Sequence, residues 1–182
     1  MEFLSSPRVT DWGDWGDFEY CPEDTFVVGM RLKTEADTGP QCDNTALNGI
    51  RFMCGIVGES QKMLYSPERQ IQSFEGNWGR WGAIYECPRS YAVGFQLRSE
   101  SGRGGNDDTA ANNLRIFCSN SIEFLEGNGL SRGDWTETQR CPFGWAICGM
   151  RTQIETPQGN SDDTALNNLD IQCCKLPQKD EL

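Results

Sequence analysis

The alternation of apolar and polar positions is what first divides this chain. Phe26, Val28, Met30 and Leu32 alternate with Val27, Gly29, Arg31 and Lys33, and Tyr91, Val93, Phe95 and Leu97 alternate with Ala92, Gly94, Gln96 and Arg98. A period of two predicts a strand with one buried face. Ala146, Cys148 and Met150 repeat the pattern, with Thr152 where Leu32 and Leu97 stand. A second strand follows each of these: Ile50, Phe52 and Cys54; Leu114, Ile116 and Cys118; Leu169, Ile171 and Cys173. Gly-, Pro- and Asn-rich loops such as 38–41 and 102–106 separate the paired strands, as hairpin and Greek-key connections require. No helical period extends beyond two turns.

The strands belong to a repeat. Asp43-Asn44-Thr45-Ala46-Leu47-Asn48 returns as Asp107-Asp108-Thr109-Ala110-Ala111-Asn112 and again as Asp162-Asp163-Thr164-Ala165-Leu166-Asn167. Upstream of each stands Trp12-Gly13-Asp14-Trp15 before Cys21-Pro22, Trp78-Gly79-Arg80-Trp81 before Cys87-Pro88, or Arg132-Gly133-Asp134-Trp135 before Cys141-Pro142. The three copies lie at about 9–56, 74–120 and 129–174. A small antiparallel sheet cannot bury its apolar face alone, whereas three can cover one another around a central axis. The expected fold is therefore all-β: a prism of three antiparallel Greek-key sheets with pseudo-three-fold symmetry, forming a single domain over 9–174. Three separate mini-domains would each be marginal in size, and no linker-like composition divides them. Residues 1–8 are expected to be a flexible added segment, and 175–182 a flexible tail.

Composition sharpens the picture. The 182 residues carry a net charge of −11, a balance open to disorder were it not for six Trp, nine Phe and nine Cys. The acidity argues against nucleic acid, whose binding rests on Lys and Arg neutralising phosphates. No apolar run approaches the ~20 residues that cross a bilayer, which disfavours a membrane partner. Nine cysteines without any His or C-x-x-C pair read as disulfides rather than metal ligands, and so as folding in an oxidising compartment.

The repeat pairs Cys21 with Cys54 and Cys87 with Cys118, each bridge stapling its own unit. Cys141 takes Cys173 or Cys174, Cys148 takes the other, and Cys42 is left as a free thiol. Met1-Glu2-Phe3-Leu4 lacks the basic and apolar regions of a signal peptide, so a mature chain with a short added start is expected. Lys179-Asp180-Glu181-Leu182 is the address for retention in the endoplasmic reticulum, native or engineered.

Two sets of residues are candidates for binding. Asp43, Asn44, Asp107, Asp108, Asp162 and Asp163 would cluster at one end of a three-fold prism, where sugar hydroxyls could donate to them. Asp and Asn ahead of Thr also commonly accept backbone N–H groups in Asx turns, and that structural reading outweighs the ligand reading. Trp12 and Trp78 offer flat faces for sugar rings, as do Trp15, Trp81 and Trp135. A repeated Trp pair in a β domain is more often packing between sheets. The absence of His excludes Ser-His and Cys-His nucleophile systems. No phosphate loop or EF-hand spacing is present, so no cofactor or metal is expected.

The triple Trp-Gly-x-Trp and Asp-Asp-Thr-Ala-Leu-Asn units with Cys-Pro between them resemble the vitelline membrane outer layer protein 1 family, from about Val9 to Cys174. The resemblance implies the β-prism fold, secretion into matrix layers such as the egg vitelline membrane or into fluids, and carbohydrate interaction. It further implies an acidic cavity for an amino-sugar oligosaccharide, with transfer of such sugars attributed to the family. Cys42, Arg132 and the retention-type tail depart from its pattern. The expected function is that of a non-catalytic secreted structural or glycan-interacting protein, with mucin- or chitin-type glycans or glycoproteins as partners. The alternatives are a transferase or hydrolase acting on N-acetylglucosamine oligosaccharides, and a membrane-active toxin-like module.

Overall fold

The computed structural model describes residues 2–36, 45–57, 59, 65–102, 109–156 and 164–177. Six long strands form three hairpins: β4 (Phe26–Thr34) with β5 (Leu47–Gly55), β9 (Ala92–Ser99) with β10 (Ala111–Cys118), and β14 (Trp145–Ile154) with β15 (Leu166–Lys175). Short strands flank them: β1 (Glu2–Ser5), β2 (Asp14–Trp15), β3 (Glu19–Tyr20), β6 (Gln70–Ile71), β7 (Arg80–Trp81), β8 (Tyr85–Glu86), β11 (Phe124–Glu126), β12 (Asp134–Trp135) and β13 (Gln139–Arg140).

All pairings are antiparallel, in three five-stranded sheets. Sheet I orders β6-β5-β4, with β7 and β8 sharing the far edge of β4. Sheet II orders β11-β10-β9 with β12 and β13, and sheet III orders β1-β15-β14 with β2 and β3. This is the expected β-prism of Greek-key sheets. The sheets are nevertheless out of phase with the sequence repeats. Each repeat supplies a long hairpin to one sheet and sends the short strands of its Trp-Gly landmark to the preceding sheet, so that β2 and β3 complete the sheet made by the last hairpin.

The chain's beginning corrects an expectation. Residues 2–5 are not a flexible appendage: Glu2, Phe3, Leu4 and Ser5 pair with Cys173, Gln172, Ile171 and Asp170. They cover the β15 edge, which would otherwise leave a row of backbone donors and acceptors unpaired. At the other end β15 runs through Lys175, one residue into the expected tail. The tetrapeptide 179–182 lies outside the described residues.

The core fills the prism axis. Ile50, Phe52, Cys54, Leu114, Ile116, Cys118, Leu169, Ile171 and Cys173 all line it, as the second-strand pattern predicts. The first strands depart from prediction. Val27, Ala92 and Ile147 enter the core alongside Met30, Leu32, Phe95, Leu97 and Met150, whereas Phe26, Val28, Tyr91, Val93, Ala146 and Cys148 pack in satellite clusters. The cause is a β-bulge repeated in every hairpin, with Val28, Val93 or Cys148 as the extra residue. One inserted residue reverses the inward parity of everything before it. The glycine beside each bulge admits an edge strand: a Cβ on Gly29 would meet Tyr85 O at 2.7 Å, one on Gly94 would meet Gln139 O at 2.6 Å, and one on Gly149 the Tyr20 ring at 2.7 Å.

The repeated Trp residues are not inter-sheet core, contrary to the packing reading. Trp15, Trp81 and Trp135 end the short strands β2, β7 and β12 and are half-buried under arginines: Arg8 and Arg151 both lie 4.6 Å from the Trp15 ring centroid, Arg51 4.1 Å from Trp81, and Arg115 3.8 Å from Trp135. Guanidinium stacking supplies the cover that burial would otherwise give.

The bridges are Cys21–Cys54, Cys87–Cys118, Cys141–Cys173 and Cys148–Cys174. The first three pair as the repeat requires, but none of them staples a single sheet. Cys21, Cys87 and Cys141 donate their backbone N–H to Cys148, Val28 and Val93, in sheets III, I and II, while their sulfurs reach β5, β10 and β15 in sheets I, II and III. A ring of covalent links thus closes the prism at one end. Cys148–Cys174 joins neighbouring strands of sheet III, and Cys42 lies outside the described residues.

Candidate functional site

The opposite end carries the Thr-Ala-Leu-Asn motif three times. Ala46, Ala110 and Ala165 adopt φ of 51°, 47° and 50°, a left-handed conformation costly for a residue with a side chain. Buried asparagines at a second bulge hold it in place. The Asn48, Asn112 and Asn167 Nδ2 groups donate to Thr45, Thr109 and Thr164 Oγ1 at 2.7, 2.7 and 2.8 Å, and to the alanine carbonyls at 3.3, 3.1 and 3.3 Å. Each threonine hydroxyl donates in turn to a carboxylate just after the first long strand: Glu35 at 2.6 Å, Glu100 at 2.8 Å and Glu155 at 2.6 Å. The backbone N–H groups of these acids return to the alanine carbonyls at 2.8, 2.7 and 2.7 Å.

The same asparagines anchor the Trp-Gly landmark of the neighbouring segment. Asn167 Oδ1 accepts the Trp12 backbone N–H at 3.3 Å, and Asn48 Oδ1 accepts that of Trp78 at 3.2 Å. The following glycine then lies flat against the end of the long strand. A Cβ on Gly13, Gly79 or Gly133 would come within 2.2, 2.4 or 2.2 Å of Ile154, Thr34 or Ser99 backbone, and all three glycines have positive φ. Trp12 and Trp78 are consequently held by their backbones while their side chains stay open, at 42% and 52% exposure. Arg132 takes the third position.

A cleft of 570 Å³ opens at Gly79 and Trp81, on the landmark that Trp78 begins. It is lined by Thr34, Glu35, Gly79, Arg80 and Trp81 from sheet I, and by Asn128 and Leu130 from the segment leaving sheet II. Asn128 stands where Phe74 stands in the passage from the first to the second repeat: Phe74 lies over Gly16, and Asn128 lies over Gly82, whose added Cβ would fall 2.2 Å from the Asn128 amide. An aromatic wall with carboxylate, guanidinium and amide groups in a cleft of this size suits a small polar ligand.

Of the residues singled out from sequence, Trp12 and Trp78 stand at this end. Asp43, Asn44, Asp107, Asp108, Asp162 and Asp163 lie outside the described residues. Sequence reasoning missed Glu35, Glu100 and Glu155. Their signal was an acid following the first long strand in all three repeats. Among the described residues, no group of three or more His, Cys, Asp or Glu side chains is placed to hold a metal.

Residues 2–176 match the family model for vitelline membrane outer layer protein I. A mouse protein described as a vitelline membrane outer layer protein 1 homolog is 44% identical over 177 residues, covering 94% of this chain and 84% of that relative. Its human counterpart is 41% identical, covering 90% and 78%. Among solved structures, a prostate-specific glycoprotein lectin superposes with TM-score 0.59 at 9% identity over 96% of this chain and 100% of its own. A mannose-binding jacalin-related lectin from Ananas comosus gives 0.55 at 10% identity over 95% and 98%. At such identities the likeness shows the shared prism architecture.

Proposed function

Because the chain belongs to the vitelline membrane outer layer protein I family, we propose that it is a non-catalytic carbohydrate-binding structural protein of an extracellular layer or fluid, engaging glycans at the Trp12 and Trp78 end of the prism. The observation that carries the reading is the rigid display of those two rings. Each is tied through its backbone to a buried asparagine, yet roughly half of it is open to solvent, and Glu35 and Asn128 line the cleft at Gly79, the residue after Trp78. A flat apolar face with nearby acceptors is what a sugar ring needs. Another prism neighbour, a lectin in complex with a biantennary N-glycan, superposes with TM-score 0.54 at 9% identity, and a carbohydrate ligand on the shared architecture supports this reading.

The carboxylates Glu35, Glu100 and Glu155 support a structural rather than an acid-base role, since each is occupied by a threonine hydroxyl. Four bridges support an extracellular setting.

Calorimetric titration with chitin oligosaccharides and mucin-type O-glycans tests the reading. Saturable binding that falls roughly tenfold, about 1.4 kcal/mol, in Trp12→Ala and Trp78→Ala is expected. Absence of binding to every glycan, or product formation from N-acetylglucosamine oligomers above a heat-inactivated control, would overturn it.

A further inference from the structure

The three sheets solve one electrostatic problem in three ways. In sheet III, Arg151 stands directly across the ladder from Asp170. The Asp170 carboxylate accepts Arg151 Nε and Nη2 at 3.0 and 2.9 Å, and Arg8 at 2.6 Å, while both guanidiniums lie on Trp15. In sheet II the position of Asp170 is taken by Arg115, opposite the neutral Gln96, and Glu126 supplies the carboxylate at 2.8 Å. In sheet I the same position is Arg51, and directly opposite it stands Arg31. Two like charges thus face each other on the outer surface.

Like charges directly opposed across a ladder are destabilising. Both arginines lie on the Trp81 ring, at 5.8 and 4.1 Å from its centroid. Among the described residues, neither is hydrogen-bonded to a carboxylate. Among the described residues Arg31 Nε has no acceptor, Arg51 Nε donates to the Gln72 amide oxygen at 2.7 Å, and Arg51 Nη1 to that of Gln70 at 3.5 Å. Burial, and then the charge of Arg31, lower the pKa of Arg51, while Glu75 acts in the opposite sense. Glu75 itself is ion-paired with Lys33 at 3.3 Å. A cleft of 370 Å³ runs beside Arg51, lined by Glu19, Pro67, Gln70, Ile71 and Gln72.

We infer that Arg31 and Arg51, held on Trp81, form a site for the sulfate ester of an acidic glycan, which supplies from outside the oxyanion that Asp170 supplies internally in sheet III. Guanidinium N–H groups form paired bonds to such an oxyanion while the guanidinium face remains stacked on indole. The neighbouring cleft, with its two glutamine amides and Glu19, takes sugar hydroxyls. The site lies on the outer face of sheet I, away from Trp12, and is testable whether or not that end binds sugar.

The test follows arginine Nε–Hε resonances by NMR during titration with sodium sulfate, with sodium chloride at matched ionic strength, with N-acetylglucosamine 6-sulfate and with N-acetylglucosamine. Saturable shifts of the Arg31 and Arg51 resonances with sulfate but not chloride are expected, with the sulfated sugar binding at least tenfold tighter than sulfate. Arg51→Asp, which installs the arrangement of sheet III, should abolish both responses and raise the melting temperature. Shifts that follow chloride equally would overturn the site. So would an Arg51→Asp protein that melts lower and still responds to sulfate. Equal affinity for sulfate and the sulfated sugar would remove the glycan as its ligand.

Discussion

Replacing Cys87 and Cys118 together by Ala opens one link of the ring that joins the three sheets. The bridge closes a separation of 31 residues. In the chain-entropy treatment a loop of that length contributes about 3.7 kcal/mol by restricting the unfolded chain. Both half-cystines are buried, at 2% and 3% exposure, so the two missing sulfurs add about 1 kcal/mol of lost packing. For a domain of this size each kcal/mol displaces the melting temperature by roughly 2–4 °C, so a fall of about 9–19 °C is expected by scanning calorimetry. The paired replacement adds no new thiol that could exchange with the other bridges. Hydrogen exchange locates the effect: the Cys87 amide, bonded to Val28 in sheet I, and the Ser119 amide, bonded to Tyr91, should lose protection, while amides around Asn112 and Asn48 at the far end keep theirs. A melting temperature within 3 °C of the unaltered protein, or protection lost evenly throughout, would refute the view that these bridges act as links between sheets.

Two further substitutions separate the roles of repeated and unrepeated polar groups. Asn48→Ala removes the donor to Thr45 and Ala46 and the acceptor of the Trp78 N–H, leaving buried partners unsatisfied. It should cost about 2–4 kcal/mol in urea unfolding and shift the Trp78 indole resonance, whereas an unshifted resonance would disprove its anchoring role. Asp170→Ala strips the carboxylate that both Arg8 and Arg151 share. With these arginines about one-third exposed and able to rehydrate, the expected loss is about 2 kcal/mol, diminishing little in high salt because the carboxylate is only 6% exposed; a change under 0.5 kcal/mol would show that the clamp is dispensable.

The fold was legible where one physical requirement imposed one pattern. The second strand of every hairpin runs without a bulge after its asparagine, so Ile50, Phe52 and Cys54 read correctly as one face. The first strand contains a bulge whose extra residue is itself apolar in each copy, Val28, Val93 or Cys148, so the alternation in the sequence runs on unbroken. Only the recurrent Gly29, Gly94 and Gly149 signalled that an edge strand approaches there. The pairing of Glu2–Ser5 with β15 left no local trace, because it is set by register with residues some 170 positions away. The Trp residues misled through size: large rings suggest core, but the arginines that cover them are spread over separate strands and assemble only on folding. At the candidate site the exposed rings were readable, while the Asn, Thr and Glu network behind them required the geometry.

What is repeated three times and what is not divide along a physical line. The Asn bulge, the Gly against the strand end and the inter-sheet bridge recur because three sheets meeting on one axis face the same backbone problem at each corner, and one solution serves all. Outward positions face solvent and carry no such constraint. There the copies diverge: Trp12 and Trp78 against Arg132, Phe74 over Gly16 against Asn128 over Gly82, and Asp170 against Arg51 and Arg115. A symmetric scaffold with unequal faces can hold three different surfaces at fixed angles without disturbing its core. The Trp12 corner, seated against the end of sheet III, and the Arg31–Arg51 face of sheet I should therefore respond to substitution independently, whereas Trp78 and the two arginines are coupled through Trp81, which lines the cleft and carries both guanidiniums.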